Sequence, residues 1–327
     1  MKLKYLIINT DEIAGKLADN WDHDQGSLFF FRASSNYIYK FKKDEKDHYL
    51  RFAINDERSM KQIESEIEFI GYLYAQGYPV SCPLKSKKGE LIETVEHDGY
   101  VYYGSVFPGM AGMYPDYSKI NDVYFENLGK SLAGLHNLSE NFKPLNQRDD
   151  WKIWLDRSKT ALSESVNEVT AVTKLEKLVE TFETLQVTEN NFGLIHYDFE
   201  YDNLFFDKDS ATFSVIDFDD CHYHWYVMDI VNAVNDIRDA TGERCDKALD
   251  LFLSGYKSLR NIDGHIYNNS FLFERYSNLI KYARIKRSIH DSNFEKDPDW
   301  LEELRPKLEF MCEELLLDIS LPWKEME

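Results

Sequence analysis

The spacing of apolar residues changes once along this chain, near residue 105, and that change limits the fold more than any other feature. Before it come short runs rich in β-branched and aromatic residues: 27–32 (SLFFFR), 36–41 (NYIYKF), 48–54 (HYLRFAI), 91–95 (LIETV) and 100–107 (YVYYGSVF). Turn-like 33–35, charged 42–47 and the Glu96-His97-Asp98-Gly99 stretch separate them, so they read as strands and hairpins. A short helix is expected over 11–20. A longer one is expected over 58–76, where Ile63, Ile67, Ile70 and Tyr74 share a face and Gly77 supplies a stop. Beyond 105 the helical period takes over, at 124–138, 151–165, 172–185, 227–238, 245–259, 270–289 and 300–316. The expectation is an α+β chain: a five-stranded antiparallel lobe with one central helix at 1–105, a mainly helical lobe at 106–327, and a cleft between them.

One stretch breaks the helical half. IHYDFEYDNLFF, 195–206, sets acids and an amide between apolar ends, and such residues are poor material for a strand interior. It contains His196, Asp198 and Asn203 in the pattern H-x-D-x-x-x-x-N. Fourteen residues past Asn203, the apolar run 211–218 (ATFSVIDF) carries Asp217. The turn at 207–210 would fold the two runs into a hairpin and bring Asp198, Asn203 and Asp217 within reach of one another. Phosphoryl transfer needs such a set: one carboxylate to orient and deprotonate the acceptor hydroxyl, and an amide oxygen and second carboxylate to hold magnesium against nucleotide phosphates. The plainer alternative is a polar turn with incidental acids.

A net charge of −20 repels nucleic-acid phosphates and argues against such a partner. It would attract cationic small molecules, or serve solubility alone. Cys82, Cys221, Cys245 and Cys312 lie far apart with no C-x-x-C pair, which fits a reducing compartment rather than a disulfide framework or a thiolate zinc site. The first residues are too briefly apolar for a signal peptide, and no run approaches the ~18 residues of a membrane span. A soluble cytoplasmic protein is expected.

The motifs, taken in order, resemble the aminoglycoside phosphotransferase and choline kinase superfamily, the protein-kinase-like small-molecule kinases. Ser34-Ser35-Asn36-Tyr37 followed by Tyr49-Leu50-Arg51 resembles the nucleotide-covering hairpin and third strand. Glu66, Ile70, Leu73 and Gly77-Tyr78-Pro79-Val80 resemble the following helix and its exit. Phe107-Pro108-Gly109 resembles the turn after the hinge strand, and Leu132-Ala133-Gly134-Leu135-His136 the family's "LAxLH". His196 to Asn203 resembles the catalytic loop, 215–219 the metal-binding segment, Met228-Asp229-Ile230 the opening of the next helix, and Phe252-Leu253-Ser254-Gly255-Tyr256 the "fxxGY" segment.

The resemblance implies a bilobed protein-kinase-like fold, with Asp198 catalytic and Asn203 and Asp217 on Mg2+. It implies Arg51 on the phosphates of ATP or GTP with Glu66 holding it, phosphate contact from Ser34 and Ser35, and adenine bound by backbone around Ser105 to Phe107. His196 and Asp229 would brace the loop. Three departures stand out: no glycine in 31–36, Arg51 where protein kinases have lysine, and Glu200-Tyr201-Asp202 in place of small residues.

Around the loop, Glu200, Tyr201, Asp202, Asp220, Tyr223 and Trp225 combine acids with aromatic faces, which suits a hydroxylated amine: an aminoglycoside, an amino alcohol or an amino acid. The aromatic run 221–226 reads equally as packing beneath the loop. His222 and His224 lack a third ligand at matching spacing, which disfavours zinc. Arg284, Lys286 and Arg287 could bind an acidic acceptor, but a solvated face is the favoured expectation. The partners expected are thus a nucleoside triphosphate and a small acceptor, for a monomer or homodimer. A Ser/Thr protein kinase of the same fold and a nucleotide-binding pseudokinase are the rival readings.

Overall fold

The computed structural model describes residues 1–110, 112, 122–165, 168–242, 245–290 and 298–323. Two helices, α1 (Leu3–Leu6) and α2 (Asp11–Ala18), precede strands β1 (Phe29–Ala33), β2 (Tyr37–Lys43) and β3 (Lys46–Ile54). Helix α3 (Met60–Ala75) and the hairpin β4 (Glu93–His97) and β5 (Tyr100–Pro108) follow. The five strands form one antiparallel sheet in the order β1-β2-β3-β5-β4. Asp44 and Glu45 both take positive φ, of 50° and 66°, at the β2–β3 turn, the geometry that matches strand twist in a two-residue hairpin.

Alternation assigns the two sheet faces. Tyr37, Tyr39, Phe41, Leu50, Phe52 and Val106 are buried on one face against Ile13 and Leu17 of α2. Arg51 projects from the other, toward α3. That helix is fixed at its start by a capping box, in which the Ser59 hydroxyl accepts from the Gln62 amide and the Gln62 side chain from the Ser59 amide.

The second lobe contains α4 (Asp122–Asn141), α5 (Trp151–Ser163), α6 (Val169–Phe182), α7 (Val227–Thr241), α8 (Cys245–Leu259), α9 (Gly264–Asn268), α10 (Phe271–His290) and α11 (Asp299–Ser320). Between α6 and α7 run β6 (Phe192–Ile195), β7 (Leu204–Asp207), β8 (Thr212–Val215) and β9 (His222–Trp225), pairing β6 with β9 and β7 with β8. Helices α4 and α8 cross at backbone contact: a Cβ on Gly129 would lie 2.0 Å from the Phe252 carbonyl oxygen, and one on Gly255 2.0 Å from that of Glu126. Only glycine permits this approach.

The strands and helices expected from the sequence recur with shifts of a residue or a few at their ends. The short helix α1 was not expected, nor were two later elements. The segment 222–225 is a strand, and 264–268 is a short helix. The chain is α+β and protein-kinase-like. Among the described residues no helix is long and apolar enough to cross a membrane.

Candidate active site

The site is assembled from the hairpin β7–β8, the loop that precedes it and the crevice face of the sheet. Asn203 stands just before β7, and its backbone carbonyl accepts from the Ile216 amide at 3.0 Å, extending the Leu204–Val215 pairing to the neighbour of Asp217. Its side-chain NH2 donates to the Asp198 carbonyl at 3.0 Å. The amide nitrogen is thereby committed to the loop, and the oxygen of the same group is left as the donor available to a cation.

The loop is held from below by one carboxylate. Asp229, fully buried at the start of α7, accepts from the His196 amide at 2.8 Å and the Tyr197 amide at 2.7 Å, and from His136 Nε2 at 3.0 Å. His136 Nδ1 in turn meets the Tyr256 hydroxyl at 2.8 Å, a contact that the close α4–α8 crossing allows. His196 Nε2 donates to the Ile216 carbonyl at 3.0 Å, so this ring ties loop to hairpin and does not face the crevice. Tyr197 and Asp217 hold φ of 74° and 65°, a left-handed backbone that costs non-glycine residues about 1 kcal/mol or more each. Tyr197 directly precedes Asp198 and Asp217 is itself one of the three candidate residues, and the Asp229 contacts maintain the first of these two conformations.

The crevice face of the sheet brings Arg51 and Glu66 together at 2.6 Å, and Arg51 lies 3.4 Å from Asp217 Oδ1. The Arg51 guanidinium stacks over Phe107 at 4.8 Å from the ring centre. Ser105 pairs with Arg51 across β3–β5 and turns its hydroxyl to the Leu91 carbonyl. Ser34 is exposed and Ser35 half-buried beside the crevice, and Asn36 ties their turn to Asp219 by a 2.8 Å hydrogen bond.

Carboxylates outnumber cations here. Burial pushes the Asp198 carboxyl up, and Asp220 and Glu200 push it further, against Arg284. Burial and Asp219 likewise raise Asp217, partly opposed by Arg51. Glu200 is raised to about 7 by burial and by Asp236, with Asp202 and Asp239 adding to it against Lys281. Asp220 goes the other way: burial would raise it, but Arg284 and Arg58 hold it well below the usual carboxylate range.

The residues expected at the acceptor site part company. Glu200, Tyr201 and Asp202 lie on the loop beside Asp198, with the Tyr201 amide donating to Asp236. Asp220 is buried and neutralised by Arg58 and Arg284, at 2.8 and 2.7 Å, so its charge is not offered to a ligand. Trp225 is 1% exposed, packed among Trp151, Phe182 and Phe192 with its N–H on the Gln186 carbonyl, and Tyr223 lies on β9 opposite Leu194, its amide donating to the Asp149 carbonyl. The aromatic run is therefore strand and core.

His222 and His224 are fully buried; His222 Nδ1 donates to the Asp220 carbonyl, while its Nε2 accepts from the Tyr276 hydroxyl. Arg284, Lys286 and Arg287 keep side-chain exposures of 44%, 30% and 34%, yet each is engaged in an ion pair. Arg284 lies 4.6 Å above Trp154 and pairs with Asp220, Lys286 pairs with Glu168, and Arg287 clasps Glu57. Helix α10 packs on α5 here. An open cavity of about 960 Å³ lies there, lined by Arg58, Arg148, Trp154, Asp220 and Arg284, next to the groups that surround Asp198.

Sequence reading singled out none of Arg32, Arg58 and Arg148. Arg58 bonds Asp219 and Asp220, Arg148 donates to the Cys221, Gln62 and Asp219 carbonyls, and Arg32 stands 3.9 Å from Asp217. No local pattern marks such long-range contacts.

Residues 30–262 match the phosphotransferase enzyme family. The amicoumacin kinase of Bacillus subtilis (strain 168) is 26% identical over 227 residues, covering 68% of this chain and 67% of that protein. Among solved structures, amicoumacin kinase hAmiN in complex with AMP-PNP, Ca2+ and Ami aligns over 98% of this chain and 96% of its own, with a TM-score of 0.81 at 18% identity. The microcompartment-associated aminopropanol kinase aligns over 95% and 99%, with a TM-score of 0.68 at 22% identity.

Proposed function

The chain belongs to the phosphotransferase enzyme family and is a phosphotransferase; from that premise we propose that it moves the γ-phosphate of ATP or GTP to a hydroxyl of a small, amine-bearing molecule. The lobe at 1–105 takes the nucleotide, and the lobe at 106–327 takes the acceptor. The carrying observation is the excess of carboxylate at one end of the crevice, where burial and neighbouring carboxylates raise each of Asp198, Glu200 and Asp217. Such a cluster is relieved by cations, one divalent and one an ammonium group of the acceptor. One relative in sequence is named an amicoumacin kinase and one in fold an aminopropanol kinase, and the second name, that of an amino alcohol, agrees with this reading.

Asn203 and Asp217 offer the hard oxygen donors that Mg2+ prefers, and the donor set is electron-rich enough to welcome it. Bound there, the ion would screen the phosphate oxygens against the acidic crevice. Arg51, kept in place by Glu66, would neutralise a phosphate oxygen. Phe107 and the backbone of Ser105 would flank the base, and Ser34 and Ser35 the phosphates. Asp198 would take the proton of the acceptor hydroxyl as its oxygen bonds the γ-phosphorus and the bond to the β-phosphate oxygen breaks. Its raised basicity suits that task. Glu200, with Asp236 behind it, would receive the ammonium group. The four free cysteines support a reducing compartment for this chemistry.

Acceptor-stimulated ADP release, measured across amino alcohols, aminoglycosides, amino acids and neutral sugars, tests the proposal. Amines should stimulate, and Glu200→Gln should raise their KM about tenfold with little change for neutral acceptors. Stimulation by neutral sugars alone would overturn the amine assignment. Mg2+-dependent nucleotide binding with no turnover on any acceptor would favour the scaffold reading.

A further inference from the structure

Strand β1 departs from regular pairing. Phe29 pairs with Lys40 and Phe30 with Tyr39, but the next pair is Arg32 with Ile38. The unpaired residue, Phe31, forms a β-bulge, and a bulge reverses the alternation of side chains beyond it. Counted by twos from Phe30, Arg32 would sit on the covered face with Tyr39. The bulge moves it instead to the crevice face, in line with Ile38, Arg51 and Ser105 on successive strands. There its Nη2 stands 3.9 Å from Asp217 Oδ2, while Arg51 Nη1 stands 3.4 Å from Asp217 Oδ1. Two guanidinium groups from different strands flank one carboxylate, one at each oxygen.

Their settings differ. The Arg51 side chain is 11% exposed and locked to Glu66, whereas that of Arg32 is 49% exposed and forms no other ion pair among the described residues. A half-exposed pair at the outer limit of contact is weakly held. The following turn, meanwhile, is short of phosphate donors. It has no glycine, and the Ser34 amide is committed to the Asn36 carbonyl at 3.1 Å. Backbone N–H groups that grip phosphate elsewhere are in part unavailable here, and a charged fork one position before Ala33 stands over the same space.

We propose that Arg32 is a phosphate ligand of the nucleoside triphosphate: when the nucleotide enters, its guanidinium exchanges the Asp217 carboxylate for an oxygen of the terminal phosphate. The exchange also releases Asp217 toward its own cation. This assignment rests on the phosphotransferase reading of the crevice given above. Guanidinium suits the role because its fork matches two phosphate oxygens and it is never deprotonated at working pH.

Calorimetric titration of the full chain with AMP-PNP and with ADP, each with Mg2+, tests it on the wild type, Arg32→Ala and Arg32→Lys. Arg32→Ala should weaken AMP-PNP about 10- to 100-fold and ADP less than about threefold, with Arg32→Lys recovering part of the loss. The unfolding temperature without nucleotide should stay within about 2 °C of wild type, since the side chain is half-exposed. Equal AMP-PNP affinity in wild type and Arg32→Ala would overturn the assignment while leaving the enzyme reading intact. Equal losses for AMP-PNP and ADP would overturn the terminal-phosphate contact. A wild type that binds neither nucleotide would overturn both readings together.

Discussion

Arg51 Nη2 meets Glu66 Oε1 at 2.6 Å, with side-chain exposures of only 11% and 4%, and so joins the central strand of the sheet to α3. Removing one partner of a buried pair leaves the other uncompensated, at a cost of about 3 kcal/mol. Glu66→Ala should lower the urea unfolding free energy by about that amount and raise the KM for nucleotide, because Arg51 would then fall toward Asp217. A change below about 1 kcal/mol would show that the pair contributes little to either.

Asp198 sits among like charges that raise its carboxyl, burial first, then Asp220 and Glu200. Asp198→Asn should reduce kcat by a factor of about 10² to 10⁴, the usual worth of a positioned base. It should also raise stability by about 1 kcal/mol, since the neutral amide removes the cost of ionising that position. Retained nucleotide binding would separate loss of chemistry from loss of the crevice. Activity within tenfold of wild type would remove Asp198 from its proposed role.

Asp229 offers two oxygens to two successive amides, those of His196 and Tyr197. Asparagine at 229 can present only one oxygen, so its NH2 must face an N–H donor. Asp229→Asn should cost about 2–4 kcal/mol, from one unsatisfied buried donor and the lost carboxylate acceptor of His136 Nε2–H. The left-handed Tyr197 would relax, and kcat should fall more than nucleotide affinity. Equal stability by chemical denaturation would argue against the bracing role.

His222 carries its proton on Nδ1, toward the Asp220 carbonyl, and burial lowers its pKa to about 4. The folded value lies below the unfolded one of about 6.5, so the unfolded chain takes up the proton first as pH falls. Stability attributable to this ring is therefore intact above about pH 6.5 and is lost progressively between there and about pH 4. The raised carboxyls of Asp198 and Asp217 push the total the opposite way. A difference measurement isolates the histidine: the stability of wild type relative to His222→Gln should decline by about 3 kcal/mol from pH 7 to pH 4. A pH-independent difference would mean that the ring is not held neutral.

The parts of this molecule with a strict apolar period were legible in its sequence. Helix α8, expected over 245–259, occupies Cys245–Leu259, because its buried Ala248, Phe252 and Tyr256 recur at helical spacing. The hairpin β7–β8 was legible because a four-residue polar turn separates two apolar runs. Strand β9 was not, since both faces of His222–Trp225 lie in the core and alternation leaves no polar signature. Arg58, and the partner of Arg284, escaped notice for another reason: the Asp220 they share is brought to them only by the packing of α3 and α10 around the loop. The bulge at Phe31 was invisible as well, because FFF offers no residue that marks where alternation slips.

Tyr256, His136, Asp229 and Asn232 all belong to helices of the second lobe, and together they hold the backbone of His196 and Tyr197 just before Asp198. A hinge motion between lobes would thus swing Arg32, Arg51 and Glu66 as one body while the base stayed still. Such a swing would have to part Asn36 and Arg58 from Asp219 and Arg287 from Glu57, so these cross-lobe pairs set how far donor capture can proceed without disturbing the acceptor wall.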